Sequence, residues 1–159
     1  MFKINDYVVY KRDVCLVKEI KMISNKNYYV LSPIDDASLK ISVPVENELI
    51  RPILSMNDAN MLIEKIPNIC PLTVNDKMIE NEYKNLLNGD SIEDLIRIIK
   101  TTYLRNDERK NLGKKIGEKD DTYFKKAERI LYNELSLSLN MSYEDVSKYV
   151  YNKVSELCK

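Results

Sequence analysis

A change of periodicity near Pro52 constrains this chain more than any other feature. Before it, the segments KINDYVVYK, CLVKEIKMI, NYYVLSPI and LKISVPV are short, partly alternating and rich in Val, Ile and Tyr, and the turn-prone groups RDV, SNKN, DDAS and ENE separate them. Such residues suit a pleated, half-buried surface. Strands this short bury a face only by associating, and tight connections favour a small antiparallel barrel. After Pro52 the apolar residues recur at helical spacing instead.

Three helical starts carry a side chain suited to accept orphan N–H groups of a first turn, and a fourth helix carries a glycine stop. Ser55 precedes MNDANMLIEKI, which Pro67 ends, and the two prolines of PNICPLTV read as a linker or corner over residues 67–74. A second helix is expected over Asp76–Leu87, with Gly89 as its C-terminal cap. Ser91 with Asp94 resembles a capping box and opens SIEDLIRIIKTTYLRNDERK, with Ile92, Leu95, Ile96, Ile99 and Tyr103 in one stripe. The loop NLGKKIGEKDD leads to a fourth helix bearing Tyr123, Phe124, Ala127, Ile130, Leu131, Leu135 and Leu139, with Lys125, Lys126 and Arg129 opposite. Ser142 with Asp145 opens the fifth, striped by Val146, Tyr149, Val150, Val154 and Leu157. The fold class expected is therefore α+β. A small antiparallel β-barrel of Tudor-like or SH3-like size over residues 1–55 precedes an all-helical domain of about five helices over residues 56–159.

The absence of His in 159 residues removes the commonest general base, nucleophile activator and metal ligand together. The three glycines, Gly89, Gly113 and Gly117, form no phosphate-binding loop, and no G-x-S-x-G occurs. Catalysis is not expected, nor is a cofactor or a metal. Cys15, Cys70 and Cys158 are far apart and odd in number, and read as reduced, half-buried fillers. No long apolar run and no cleavable leader pattern is present, so the cytoplasm is the expected compartment.

Net charge is zero, but its distribution is uneven. From Met56 to Ile96 there are three Lys or Arg against eight Asp or Glu, whereas from Arg97 to Arg129 there are eleven against six. The basic set comprises Arg97, Lys100, Arg105, Arg109, Lys110, Lys114, Lys115, Lys119, Lys125, Lys126 and Arg129. Spaced Lys and Arg can neutralise phosphates and position a protein on nucleic acid; equally, they can be a solvated helix face with intrahelical pairs.

Several motifs, in order, are similar to the CarD (CdnL) family of bacterial transcription regulators, whose N-terminal half is a Tudor-like domain shared with a transcription-repair coupling factor. Phe2, Lys3, Asp6, Val8, Val9 and Tyr10 resemble the family's F-x-x-G-D-x-V-V-Y start, Tyr28–Leu31 its Y-Y-V-L strand, and Val43 with Pro44 its V-P element. Asn88-Gly89-Asp90 resembles its S-G-D turn, Tyr103 to Arg109 the stretch ending R-x-x-E-R, and Ala127 to Leu131 the A-R-x-I-L helix. Asn5 stands where the family has Gly, Lys11-Arg12-Asp13 replace a Pro-x-His-Gly turn, and the chain has no Trp.

The resemblance implies docking on the β subunit of RNA polymerase and contact with promoter DNA at the upstream edge of the bubble, stabilising the open complex, by a monomer. An interaction module that binds polymerase without productive DNA contact is the alternative. The residues expected to face polymerase are Lys21, Tyr28, Tyr29, Lys40 and Arg51, with only one of the two adjacent tyrosines exposed, since neighbours on a strand face opposite sides. Those expected to face DNA are Lys114, Lys115, Lys125, Lys126 and Arg129, then Arg105 and Arg109, which also suit helix pairing.

Overall fold

The computed structural model describes residues 1–156; Leu157 and Cys158 lie outside the described residues. The chain divides into two compact units, Met1–Ile53 and Leu54–Lys159.

The first unit is a five-stranded antiparallel sheet of β1 (Tyr7–Tyr10), β2 (Asp13–Ile23), β3 (Lys26–Pro33), β4 (Ile41–Pro44) and β5 (Ile50–Pro52), in the order β4-β3-β2-β1-β5. The sequence pattern marks four of these. The fifth, three residues ending at a proline, pairs Arg51 with Val9 and is too short to show alternation. Val8, Cys15, Val17, Tyr29, Leu31 and Val43 form the core on one face, with Phe2, Tyr10 and Ile20 packed against it.

A bulge in β2 keeps this face apolar. Val17 pairs with Leu31 and Ile20 with Tyr29, all four at the core. Residues three apart on a regular strand point to opposite faces. The register shift between Val17 and Glu19 takes up one residue and returns Ile20 to the core side. Two-residue turns join the strands at Lys11-Arg12, with φ of 47° and 76°, and at Ser24-Asn25, with φ of 49° and 66°. Positive φ at both central residues matches the right-handed twist of a hairpin.

The second unit holds α1 (Met56–Lys65), a 3₁₀ turn (Ile66–Asn68), α2 (Ile79–Asn88), α3 (Ile92–Asn111), α4 (Glu118–Leu139) and α5 (Tyr143–Glu156). Its core gathers Ile63, Ile66, Tyr83, Leu95, Ile96, Ile98, Leu131, Leu135, Val146 and Val150, most of them from the stripes that the sequence displays. Ser55 and Ser142 cap their helices through Oγ, accepting from Asp58 N at 3.0 Å and Asp145 N at 3.1 Å. Asp94 instead pairs forward with Arg97 at 2.6 Å. The α2 helix starts three residues later than the sequence suggests because Asn75 turns the chain first, accepting from Met78 N through its side chain at 3.1 Å. Gly89 caps α2 with φ −77°, a conformation open to any residue.

The corner over residues 67–74 is held by one face of α3. Arg97 Nε donates to Cys70 O at 3.0 Å, Thr101 Oγ1 accepts from Leu72 N at 2.9 Å, and the buried Lys100 ammonium donates to the carbonyls of Ile66, Pro67 and Ile69. Cys15 is buried, as a filler would be, whereas Cys70 is exposed. That exposure corrects the expectation for Cys70, because the corner holds it by its carbonyl and turns its thiol outward.

Candidate functional site

In the N-terminal unit the candidate residues separate by face. Lys21 pairs with Tyr28 directly across β2 and β3, and both lie on the side opposite the core. Arg51 pairs with Val9, whose neighbour Val8 is in the core, so Arg51 lies on that same side of the sheet, half-buried beside the buried Val9. Lys21 carries an ion pair with Glu19 at 3.2 Å, and Lys40 is exposed just before the outer strand β4. Tyr29 does not belong with them. It is 1% exposed, its ring meets Phe2 edge-on at 5.8 Å, and its hydroxyl accepts from Phe2 N at 2.9 Å. Burial of Tyr29 leaves Tyr28, half-buried on the opposite side of the strand, as the docking candidate of the pair.

Asn5, the residue standing in place of a glycine, has φ 75°. Asn is among the few side chains that tolerate the left-handed region, so the exchange preserves the backbone. The turn it completes is closed by Lys3 N donating to Asp6 Oδ2 at 2.8 Å and Asn5 N to Val17 O at 2.8 Å.

In the helical unit the eleven cations fall into three groups. Four of them serve the fold. Arg97 and Lys100 hold the corner, while Arg105 and Arg109 converge on Asp120, whose side chain is 2% exposed. Arg105 Nε lies 3.1 Å from Asp120 Oδ2 and its NH1 2.8 Å from Asp76, and the Tyr83 hydroxyl donates to Asp120 Oδ1 at 2.7 Å. Burial pushes the Asp120 carboxyl up, but hydrogen bonds from Tyr83, Arg109 and Arg105 overcome this and hold it below the usual carboxylate range. The same burial, reinforced by the Asp120 hydrogen bond, raises the Tyr83 phenol. The sequence ranked Arg105 and Arg109 behind the lysines for DNA contact, and the geometry gives both a fold-holding bond to Asp120. Nothing in the sequence marked Asp120 itself, which lies in an acidic first turn beside two exposed or half-exposed carboxylates.

A second group is exposed but engaged. Lys119 reaches Glu80 at 3.1 Å, Lys125 reaches Asp121 at 3.0 Å one turn back, and Lys126 sits over the Tyr123 ring at 5.3 Å. Exposed ion pairs of this kind are weak and exchange readily for another anion. With the exposed Arg129 they form a basic stripe along α4. The third group, Lys110, Lys114 and Lys115, is exposed around the α3–α4 loop and enters no ion pair among the described residues.

The molecule is thus a small antiparallel β domain followed by a separate helical unit that presents cations on one helix and one loop. Residues 2–54 match the family model of the CarD-like/TRCF RID domain, and the N-terminal unit carries that domain. No curated protein matches the chain. No helix among the described residues is long and apolar enough to cross a membrane.

Proposed function

We propose that this protein is a transcription regulator that docks its N-terminal unit on the β subunit of RNA polymerase and contacts promoter DNA near the upstream edge of the bubble with its helical unit. The observation that carries the reading is the RID domain over residues 2–54, a domain type whose designation denotes polymerase interaction. Lys21, Tyr28 and Arg51 on the outer face of its sheet, with Lys40 beside β4, are the docking residues, and residues 1–55 are the docking domain. Residues 56–159 are the DNA-contacting domain, through Lys114, Lys115, Lys125, Lys126 and Arg129.

Regulation then needs no chemistry from the protein. Contacts made better in the open complex than in the closed one lower the free energy of the open state, and that difference alone shifts the population. The protein acts as a binder, not an enzyme, with no cofactor.

A second reading, a polymerase-binding module without productive DNA contact, is favoured by the commitment of Arg105 and Arg109 to Asp120 and by the zero net charge. One experiment separates them. The full chain is tested for retention of purified bacterial RNA polymerase and for its effect on open-complex formation, beside a Lys125→Glu/Lys126→Glu/Arg129→Glu variant. The proposal expects retention by both and loss of the promoter effect in the variant only. An unchanged promoter effect supports the second reading, and failure of the intact chain to retain polymerase sinks both.

A further inference from the structure

The loop between α3 and α4 is short, pinned at both ends and apolar at its tips. At its start, Gly113 N donates to Lys110 O at 3.0 Å and Lys114 N to Arg109 O at 2.7 Å, the paired bonds of a Schellman stop, with Gly113 at φ 70°. At its end, Gly117 N donates to Asn106 Oδ1 at 3.1 Å, and the Arg109 guanidinium lies under Gly117 so closely that a Cβ there would sit 2.6 Å from its nitrogen. Leu112, at the C-cap of α3, and Ile116, just before Gly117, are 63% and 61% exposed, on either side of the exposed Lys114 and Lys115. A single exposed Leu is ordinary. Two large exposed aliphatic side chains on one anchored loop bracket unpaired cations, a combination suited to a partner that offers anionic groups beside apolar ones.

We infer that Leu112 and Ile116 make the apolar part of a duplex-DNA contact, lying against sugar faces and base edges in a groove while Lys110, Lys114 and Lys115 take the flanking phosphates. The inference rests on the DNA contact proposed above and adds residues of a different chemistry to it. Duplex DNA is favoured over other anionic partners by shape and area. Extended and helical peptides are bound in grooves between elements or along sheet edges, and this short inter-helix loop is neither. Two side chains bury too little for a membrane, where even one myristoyl chain binds marginally. Aliphatic side chains projecting into a groove beside phosphate-bound cations recur in DNA-bound proteins.

The two chemistries separate in a salt series. Binding of the full chain to a short fluorescein-labelled duplex is followed by anisotropy, beside Leu112→Ser/Ile116→Ser and Lys114→Gln/Lys115→Gln. Both pairs of positions are exposed, and matched far-UV circular dichroism verifies the fold. The serine variant is expected to bind about tenfold more weakly at every salt concentration with the salt slope unchanged, as loss of partial burial of two aliphatic side chains requires. The glutamine variant is expected to lower the slope by about 1.8, two phosphate contacts at about 0.9 each. If the serine variant binds like the unmodified chain while the glutamine variant loses slope, this inference is overturned and DNA contact stands. If the unmodified chain binds no duplex at low salt, or binds phosphatidylglycerol vesicles instead, both are overturned.

Discussion

Replacing Asp120 by Asn removes the charge on which α2, α3 and α4 converge. The carboxylate takes hydrogen bonds from Tyr83, Arg105 and Arg109 while its side chain is 2% exposed. Removing one partner from a buried ion pair costs about 3–5 kcal/mol, because the remaining charge is left uncompensated. Here the two arginine side chains are 22% and 27% exposed and can regain water, and the amide oxygen keeps one acceptor. The expected loss is therefore about 2–3 kcal/mol. Helices lie only in the second unit, so ellipticity at the helical band reports that unit during urea unfolding of the full chain. With a urea slope of about 2 kcal/mol per molar, the midpoint should fall by roughly 1–1.5 M. The carboxyl of Asp120 sits below its ordinary value of 3.8 in the fold, so its contribution is fully present above that pH and is lost as pH falls through the folded value. The gap between the two proteins should accordingly narrow on acidification. A midpoint shift under about 0.3 M at neutral pH would refute the assignment of this carboxylate as the centre of the helical unit.

Two further expectations follow from burial. Lys100→Met leaves the Ile66 and Ile69 carbonyls without their ammonium donor, which should cost about 2–3 kcal/mol and lower the midpoint of a thermal melt by on the order of 10 °C; an unchanged melt would show that water replaces the ammonium. In a Cys158→Ser background, an aromatic disulfide reagent at mildly alkaline pH should titrate Cys70 quickly and Cys15 only after denaturation, since burial and then Asp13 push the Cys15 thiol up to about 11; rapid reaction of two thiols in the native protein would contradict the burial of Cys15.

The α+β order, the helical stripes and the caps at Ser55 and Ser142 were legible because each is a local pattern with a fixed period or offset. What escaped was set by pairing across the chain. β5 exists because β1 offers it a partner, not because three residues prefer extension. The late start of α2 depends on a side-chain turn at Asn75 that only the folded corner selects. Among the site residues, sequence could say that one of Tyr28 and Tyr29 faces inward but not which, since that depends on the β2 bulge and on Phe2 closing over the ring. The sequence placed Arg105 and Arg109 behind Lys114 and Lys115 as helix-pairing residues but could not show what sets them apart. The distinction comes from Asp120, 11 residues from Arg109 and 15 from Arg105, and brought beside them only when α4 folds back on α3.

The Arg109 guanidinium serves both the Asp120 carboxylate and the space beneath Gly117. One consequence concerns how sequence can drift. The frame of the α3–α4 loop is written in Asn106, Arg109, Gly113 and Gly117, while the four side chains at 112 and 114–116 point to solvent. Exchanges at those four leave the helices indifferent, so the surface of the loop can be rewritten independently of its scaffold. Amide protons at its anchors should meanwhile exchange with solvent no faster than those at the adjoining ends of α3 and α4, because releasing the loop means releasing the carboxylate that three helices share.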